Sequence, residues 1–114
     1  MKSRLEEAYS TASDGSEASP DVKVSGVTIL VVELSTVTQI GLLPAKIKIR
    51  NLANNKSIVL TEGFVGNCGG YNIPLIFRGR IKVPEDYDYI IEGTVKNESG
   101  EDVKTNLTVI YEVA

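Results

Sequence analysis

Tyr87-Asp-Tyr-Ile-Ile-Glu-Gly-Thr-Val-Lys-Asn-Glu-Ser-Gly-Glu-Asp-Val-Lys-Thr-Asn-Leu-Thr-Val-Ile-Tyr-Glu-Val113 reads as two strands around a short polar turn. In the second strand, Val103, Thr105, Leu107, Val109, Tyr111 and Val113 fall on one face. Lys104, Asn106, Thr108 and Glu112 fall on the other, with Ile110 the one apolar residue among them. Successive side chains of a strand point to opposite faces, so this period of two marks a half-buried antiparallel strand.

The same pattern extends upstream. Phe77, Ile81 and Val83 alternate with Arg78, Arg80 and Lys82, and Ile47 and Ile49 alternate with Lys46, Lys48 and Arg50. Ser57–Thr61 is a further strand, and Gly63–Gly70 reads as a glycine-rich loop holding Cys68. Pro74 cannot donate to a ladder and belongs at an edge or a bend. Val22 to Leu34 is one long strand or two, broken at Ser25-Gly26. The count is about seven short strands with turn signals and no internal helix, which is the pattern of a sandwich. Tyr87 and Tyr89 stand where immunoglobulin-type sandwiches place a corner tyrosine before the penultimate strand. The expected architecture is an immunoglobulin-like antiparallel β-sandwich. In it the strands at 45–50 and 77–83 are neighbours, and those from 87 and 103 are the last pair.

The first 21 residues differ in character. Residues 2–10 have the composition of two helical turns, and Thr11 to Pro20 is small, polar and acidic, as a flexible linker is. The division expected is an N-terminal helical or disordered arm and linker at 1–21, followed by a sandwich at 22–114. The formal charge of the whole chain is -3. Lys2 and Arg4 against Glu6, Glu7, Asp14, Glu17 and Asp21 put all of it in the arm, leaving a balanced body, which argues against a nucleic-acid partner. One cysteine excludes an internal disulfide, and the lack of histidine removes the usual zinc ligand sets. Ile29–Val32 is the longest aliphatic run, far short of the ~20 residues that span a bilayer, and the polar start is no signal peptide.

No residue pattern carries catalysis. Cys68 has no histidine to make it a thiolate, and the glycines around it are followed by no Lys-Ser or Lys-Thr. Non-catalytic binding is therefore expected, with no cofactor and no metal. The candidate protein-binding surface is a basic stripe of Lys46, Lys48, Arg50, Arg78, Arg80 and Lys82, which lie together if their two strands pair. An acidic protein or an anionic cell-envelope surface would suit it; the plainer reading is a solvated face. Acidic loops at Glu85, Asp86 and Asp88 and at Glu98, Glu101 and Asp102 read as solvated turns, with calcium or carbohydrate binding as the alternative. Three Asn-X-Ser/Thr sequons, at Asn55, Asn97 and Asn106, are candidate glycosylation sites and point to an extracytoplasmic address.

A charged helical arm, a polar linker and a sandwich holding Ile49-Arg-Asn51 and Gly93-Thr-Val-Lys-Asn97 resembles the ectodomains of archaeal pilins and archaellum accessory proteins. That resemblance implies a structural domain of an extracellular filament or cell-envelope assembly. It also implies contact with other proteins or copies of itself through sheet faces or edges, and an anchoring helix before Met1. The alternative is a coat or decoration subunit of a virus particle, located in the virion or cytoplasm, with the arm reaching a neighbouring subunit.

Overall fold

The structure, a computed structural model, describes residues 2–113. The alternation at the C-terminus is realised as read: in β10 (Val103–Val113), Val103, Thr105, Leu107, Val109 and Tyr111 are buried. Their neighbours on both sides complete a four-stranded antiparallel sheet in the order β1-β10-β4-β8, with β1 at Lys2–Ala12, β4 at Val27–Thr36 and β8 at Leu75–Lys82. The facing sheet is built around β9 (Tyr89–Lys96). On one side of β9 lie β2 (Glu17–Ala18) and β3 (Asp21–Val24); on the other come β5 (Leu43–Asn51), β6 (Ser57–Cys68) and β7 (Tyr71–Ile73).

Between the sheets Ile29, Val32, Leu34, Ile47, Val65, Ile91, Val95, Leu107 and Val109 are fully enclosed. Each such side chain stabilises the fold by about 1.5–3 kcal/mol relative to exposure. Gly93 faces inward, and a Cβ there would stand 2.7 Å from Leu34 Cδ1, so this glycine lets the two sheets approach.

Consecutive strands shuttle between the sheets. The chain goes from β1 to β2 and β3 opposite, back to β4, across to β5, β6 and β7, back to β8, across to β9, and home to β10. At Ser25-Gly26 and at Pro74 the strand run does not bulge but changes sheet. This two-sheet path, with each sheet ordered by returning strands, is the jelly-roll form of the sandwich. The all-β antiparallel sandwich is thus the fold, but its connections are not those of the immunoglobulin type. The strands at 89–96 and 103–113 are no hairpin; they lie in opposite sheets, as do β5 and β8. Tyr87 makes no corner either, being 53% exposed.

The N-terminal arm is also corrected. Residues 2–12 pair with β10 in an uninterrupted antiparallel register, from Lys2 opposite Val113 to Ala12 opposite Val103. Ala12 and Ala18 belong to the core, so residues 2–21 are part of the sandwich rather than a tether to it. A two-turn helix without a partner is marginal in water, whereas the strand gains a full ladder. The small inward-facing Ala8, Ser10 and Ala12 let it lie flat on the core edge.

Asn97 locks this corner of the molecule. It is 1% exposed, and its Nδ2 donates to the Ala12 carbonyl at 3.0 Å and the Glu101 carbonyl at 2.7 Å. Its backbone N–H donates to Ser16 O, its carbonyl accepts from Gly15 N–H, and its Oδ1 accepts from the Ser99 N–H and hydroxyl. One buried amide thereby ties the β1–β2 turn to the arch between β9 and β10, where an orphaned polar group would be costly. Among the described residues there is no helix long and apolar enough to cross a membrane.

Candidate binding surface

The outer face of the second sheet is where exposed chemistry gathers. Register places Lys46 beside Glu62 of β6 and Thr94 of β9, and Lys48 beside Val59 and Glu92. Pro44 is opposite Phe64, and Phe64 is 57% exposed. Pro44, Lys46, Lys48, Glu62, Phe64 and Thr94, with Glu17 and Lys96, line an open groove of about 610 Å³. The groove is cationic along its floor but each charge is answered. Lys46 lies 3.9 Å from Glu62, Lys48 3.8 Å and Arg50 3.6 Å from Glu92, and Arg50 donates to Asn55 Oδ1 at 2.9 Å. The Lys46–Glu62 pair, exposed on both sides, contributes about 0–1 kcal/mol and leaves Lys46 free to exchange partners, whereas Glu92 is largely enclosed between Lys48 and Arg50.

The six-cation stripe does not exist as one surface. Lys46, Lys48 and Arg50 stand on β5, while Arg78, Arg80 and Lys82 stand on β8 in the other sheet, so the two triads face away from each other. Only Lys46 and Lys48 of the six line the groove. On the far side Arg80 binds Glu112 at 2.8 Å. The physical reason is the change of topology: alternation decides which face a cation takes, but not which sheet the strand joins.

Sequence reasoning missed Glu17, Phe64, Thr94 and Lys96. Phe64 was hidden because 63–70 reads as a glycine loop, whereas β6 continues to Cys68. A signal was present, since Glu62 and Phe64 alternate with Gly63 and Val65. Gly66 explains the glycine content: its φ is 137°, and a Cβ would stand 2.5 Å from the Gly41 carbonyl oxygen. The 37–42 crossover lies over β6 there, with Asn67 N–H donating to Ile40 O at 2.6 Å.

A second feature is apolar. Along β6 and its short partner β7, Val59 (47%), Phe64 (57%), Tyr71 (75%) and Ile73 (38%) are exposed, as is Ile58 (67%), which lies opposite Ile49 on the other face from Val59. Among the described residues, β7 covers only Gly66–Cys68, so from Ser57 to Val65 the outer edge of β6 has no strand partner. Cys68 is an exposed free thiol at the end of this strip.

Of the sequons, Asn97 is enclosed and its amide nitrogen is committed to two carbonyls, so no glycan attaches there. Asn55 is exposed in a turn at φ 58°, and Asn106 is half-buried on the outer face of β10 with its Oδ1 accepting from Thr108. The acidic loops spread rather than converge: Asp88 binds Lys23 at 3.1 Å and Glu98 binds Lys96 at 3.3 Å. Among the described residues no group of three or more acidic or thiol side chains is placed to hold a metal ion. One titrating group is displaced. The Tyr111 hydroxyl donates to Glu6 Oε1, and that bond, with burial and the carboxylate's charge, raises its pKa above 10.0.

No protein-family model and no curated protein matches the sequence. Solved structures do match the fold. The Yersinia pseudotuberculosis-derived mitogen is 15% identical with a TM-score of 0.56, over 97% of this chain and 86% of that one. The infectious bursal disease virus VP2 subviral particle gives 12% identity and a TM-score of 0.49, over 98% of this chain and 33% of that one. A family 22 carbohydrate-binding module of Clostridium thermocellum gives 15% and 0.48, over 85% and 64%. At 15% identity the likeness to the mitogen is one of fold alone.

Proposed function

We propose that this chain is a non-catalytic structural subunit that binds other proteins through the β6–β7 strip and the lysine-lined groove beside it. The observation that carries this reading is the set of exposed Val59, Phe64, Tyr71 and Ile73 along a sheet edge that is largely without a strand partner. An apolar centre bordered by exchangeable charges is the composition of a protein interface rather than of a solvated surface. The coat or decoration subunit of a virus particle is the preferred form of this role. The filament-accessory form drew on a charged helix, which residues 2–12 do not make; the coat form asks only that they reach a neighbouring subunit, which an edge strand can still do.

Incorporation tests the reading. Tagged chain supplied during assembly in its native host is expected in the particle fraction of a density gradient. Phe64→Glu with Tyr71→Glu is expected to fold and stay at the top. Equal incorporation of both, or wild-type chain recovered only as free protein, overturns it.

The groove favours a second reading, an acidic oligosaccharide with its carboxylates on Lys46, Lys48 and Lys96 and a sugar face on the Phe64 ring. A uronate oligosaccharide titrated into labelled protein is then expected to shift the Thr94 and Phe64 resonances. No shift removes this reading.

A further inference from the structure

The four sheet edges are not protected alike. β8 carries Arg78, Arg80 and Lys82, of which Arg80 is paired with Glu112, a cationic row that disfavours a copy of itself, and its pairing with β4 is irregular between Ile29 and Val31. β2 and β3 are two and four residues long and separated by Ser19-Pro20. β6 is bulged, its register with β5 shifting between Ile47 and Lys48 so that Leu60 is the extra residue. Short length, bulges and like charge are the ordinary means by which an edge is kept from pairing with another chain. β1 has none of them. Its eleven residues contain no Gly or Pro and hold one continuous register with β10, and among the described residues no strand lies on its outer side.

We propose that this edge is a two-fold self-association site, in which two copies pair β1 antiparallel to β1 about an axis through Leu5. The sequence of β1 selects that register. Antiparallel partners share a face, so a two-fold must pass through a residue opposite itself. An axis at Arg4 sets Arg4 against Arg4 of the second copy, and one at Glu6 sets Glu6 against Glu6. An axis at Leu5 sets Arg4 against Glu6 twice, Ser3 against Glu7 twice, and Leu5, 57% exposed, against Leu5. Glu6 is ready for this, since Oε1 accepts from Tyr111 within its own chain and Oε2 is not engaged by it. The far end of the edge is less open, because Ser19 N–H donates to Ser10 Oγ there. The occupant is thus a second copy of this chain, joined over residues 2–8, and the two four-stranded sheets become one of eight. This surface is separate from the β6–β7 strip and does not depend on the role proposed for it.

Sedimentation equilibrium with reciprocal charge variants tests the pairing. Wild-type chain is expected to dimerise. Arg4→Glu and Glu6→Arg, each alone, oppose like charges twice and are expected to weaken the dimer about tenfold or more. An equimolar mixture of the two restores both opposite pairs and is expected to recover a dimer. Circular dichroism melting confirms that each variant folds, and Leu5→Asp, at an exposed centre, serves if Glu6→Arg does not. A wild-type monomer at every soluble concentration, dimers that persist in all single variants, or a mixture that fails to dimerise overturns the proposal.

Discussion

β1 and β6 are the two long edge strands of this sandwich, one in each sheet, and they are held in opposite ways. β1 is regular and charged, and side chains reinforce its continuous ladder with β10, among them the Tyr111–Glu6 bond at its middle and the Asn97 amide at its end. β6 is bulged and apolar, and it is pinned where the 37–42 crossover lies against Gly66. Regular pairing leaves an edge able to accept another strand; a bulge gives that up and leaves only side chains to bind with. The same fold therefore presents one edge suited to backbone pairing and one suited to side-chain packing.

The largest way to break the contrast is at β6. Gly66→Ala forces a Cβ to 2.5 Å from the Gly41 carbonyl oxygen at a φ of 137°, and the atom it meets is backbone rather than a movable side chain. A loss of about 3 kcal/mol or more is expected, from strain and overpacking together. Urea denaturation measures it. A variant within a few tenths of wild type would show that the crossover does not pin β6.

Asn97 is the corresponding point for β1. Asn97→Ala leaves the Ala12 and Glu101 carbonyls without their buried donor, and the Ser99 N–H and hydroxyl without their acceptor. The expected cost is about 1–3 kcal/mol, because the Ala12 carbonyl stays buried while the Ser99 and Glu101 groups are partly open to water. Hydrogen exchange should quicken in residues 10–16 and 97–103 and hold steady in β6. Uniform acceleration through both sheets would mean that Asn97 stabilises the whole core and not this corner.

How much of this was readable without coordinates follows from what alternation encodes. Every inward residue of β10 from Val103 to Tyr111 was legible, because a buried face must be apolar or, like Thr105, satisfied: its hydroxyl donates to Ser10 O. The sheet to which each strand belongs was not legible. The stretch between Lys96 and Val103 is long enough for a hairpin or for the arch it actually makes, and only the Asn97 bonds decide. β1 escaped notice because Lys2, Arg4 and Glu6 occupy its inward positions, where the strand overhangs the edge of the facing sheet and they stay exposed. For the groove, Lys46 and Lys48 were found by their strand pattern, while Phe64 and Lys96 needed the register of β6 and β9 against β5. Asn97 was read as a sequon because its sequence signature is the same whether the amide is free or buried.

The smallest expected effect sharpens the comparison most, since it separates the middle of β1 from its end. In Tyr111 the phenol is the donor and Glu6 the acceptor, so the fold favours the neutral phenol and its pKa is raised. A group raised in the folded state contributes its full stabilisation at any pH below its unfolded value, here 10.0, and loses it as pH climbs through the folded value. Tyr111→Phe should therefore cost about 1 kcal/mol at neutral pH, one hydrogen bond to a partly exposed carboxylate. The gap to wild type should close as pH rises above about 10. Denaturation midpoints of the two proteins, followed from neutral to alkaline pH, check both parts. Curves that run parallel throughout would mean that the ladder alone holds β1 to β10, with the Glu6 carboxylate already free to face a second copy.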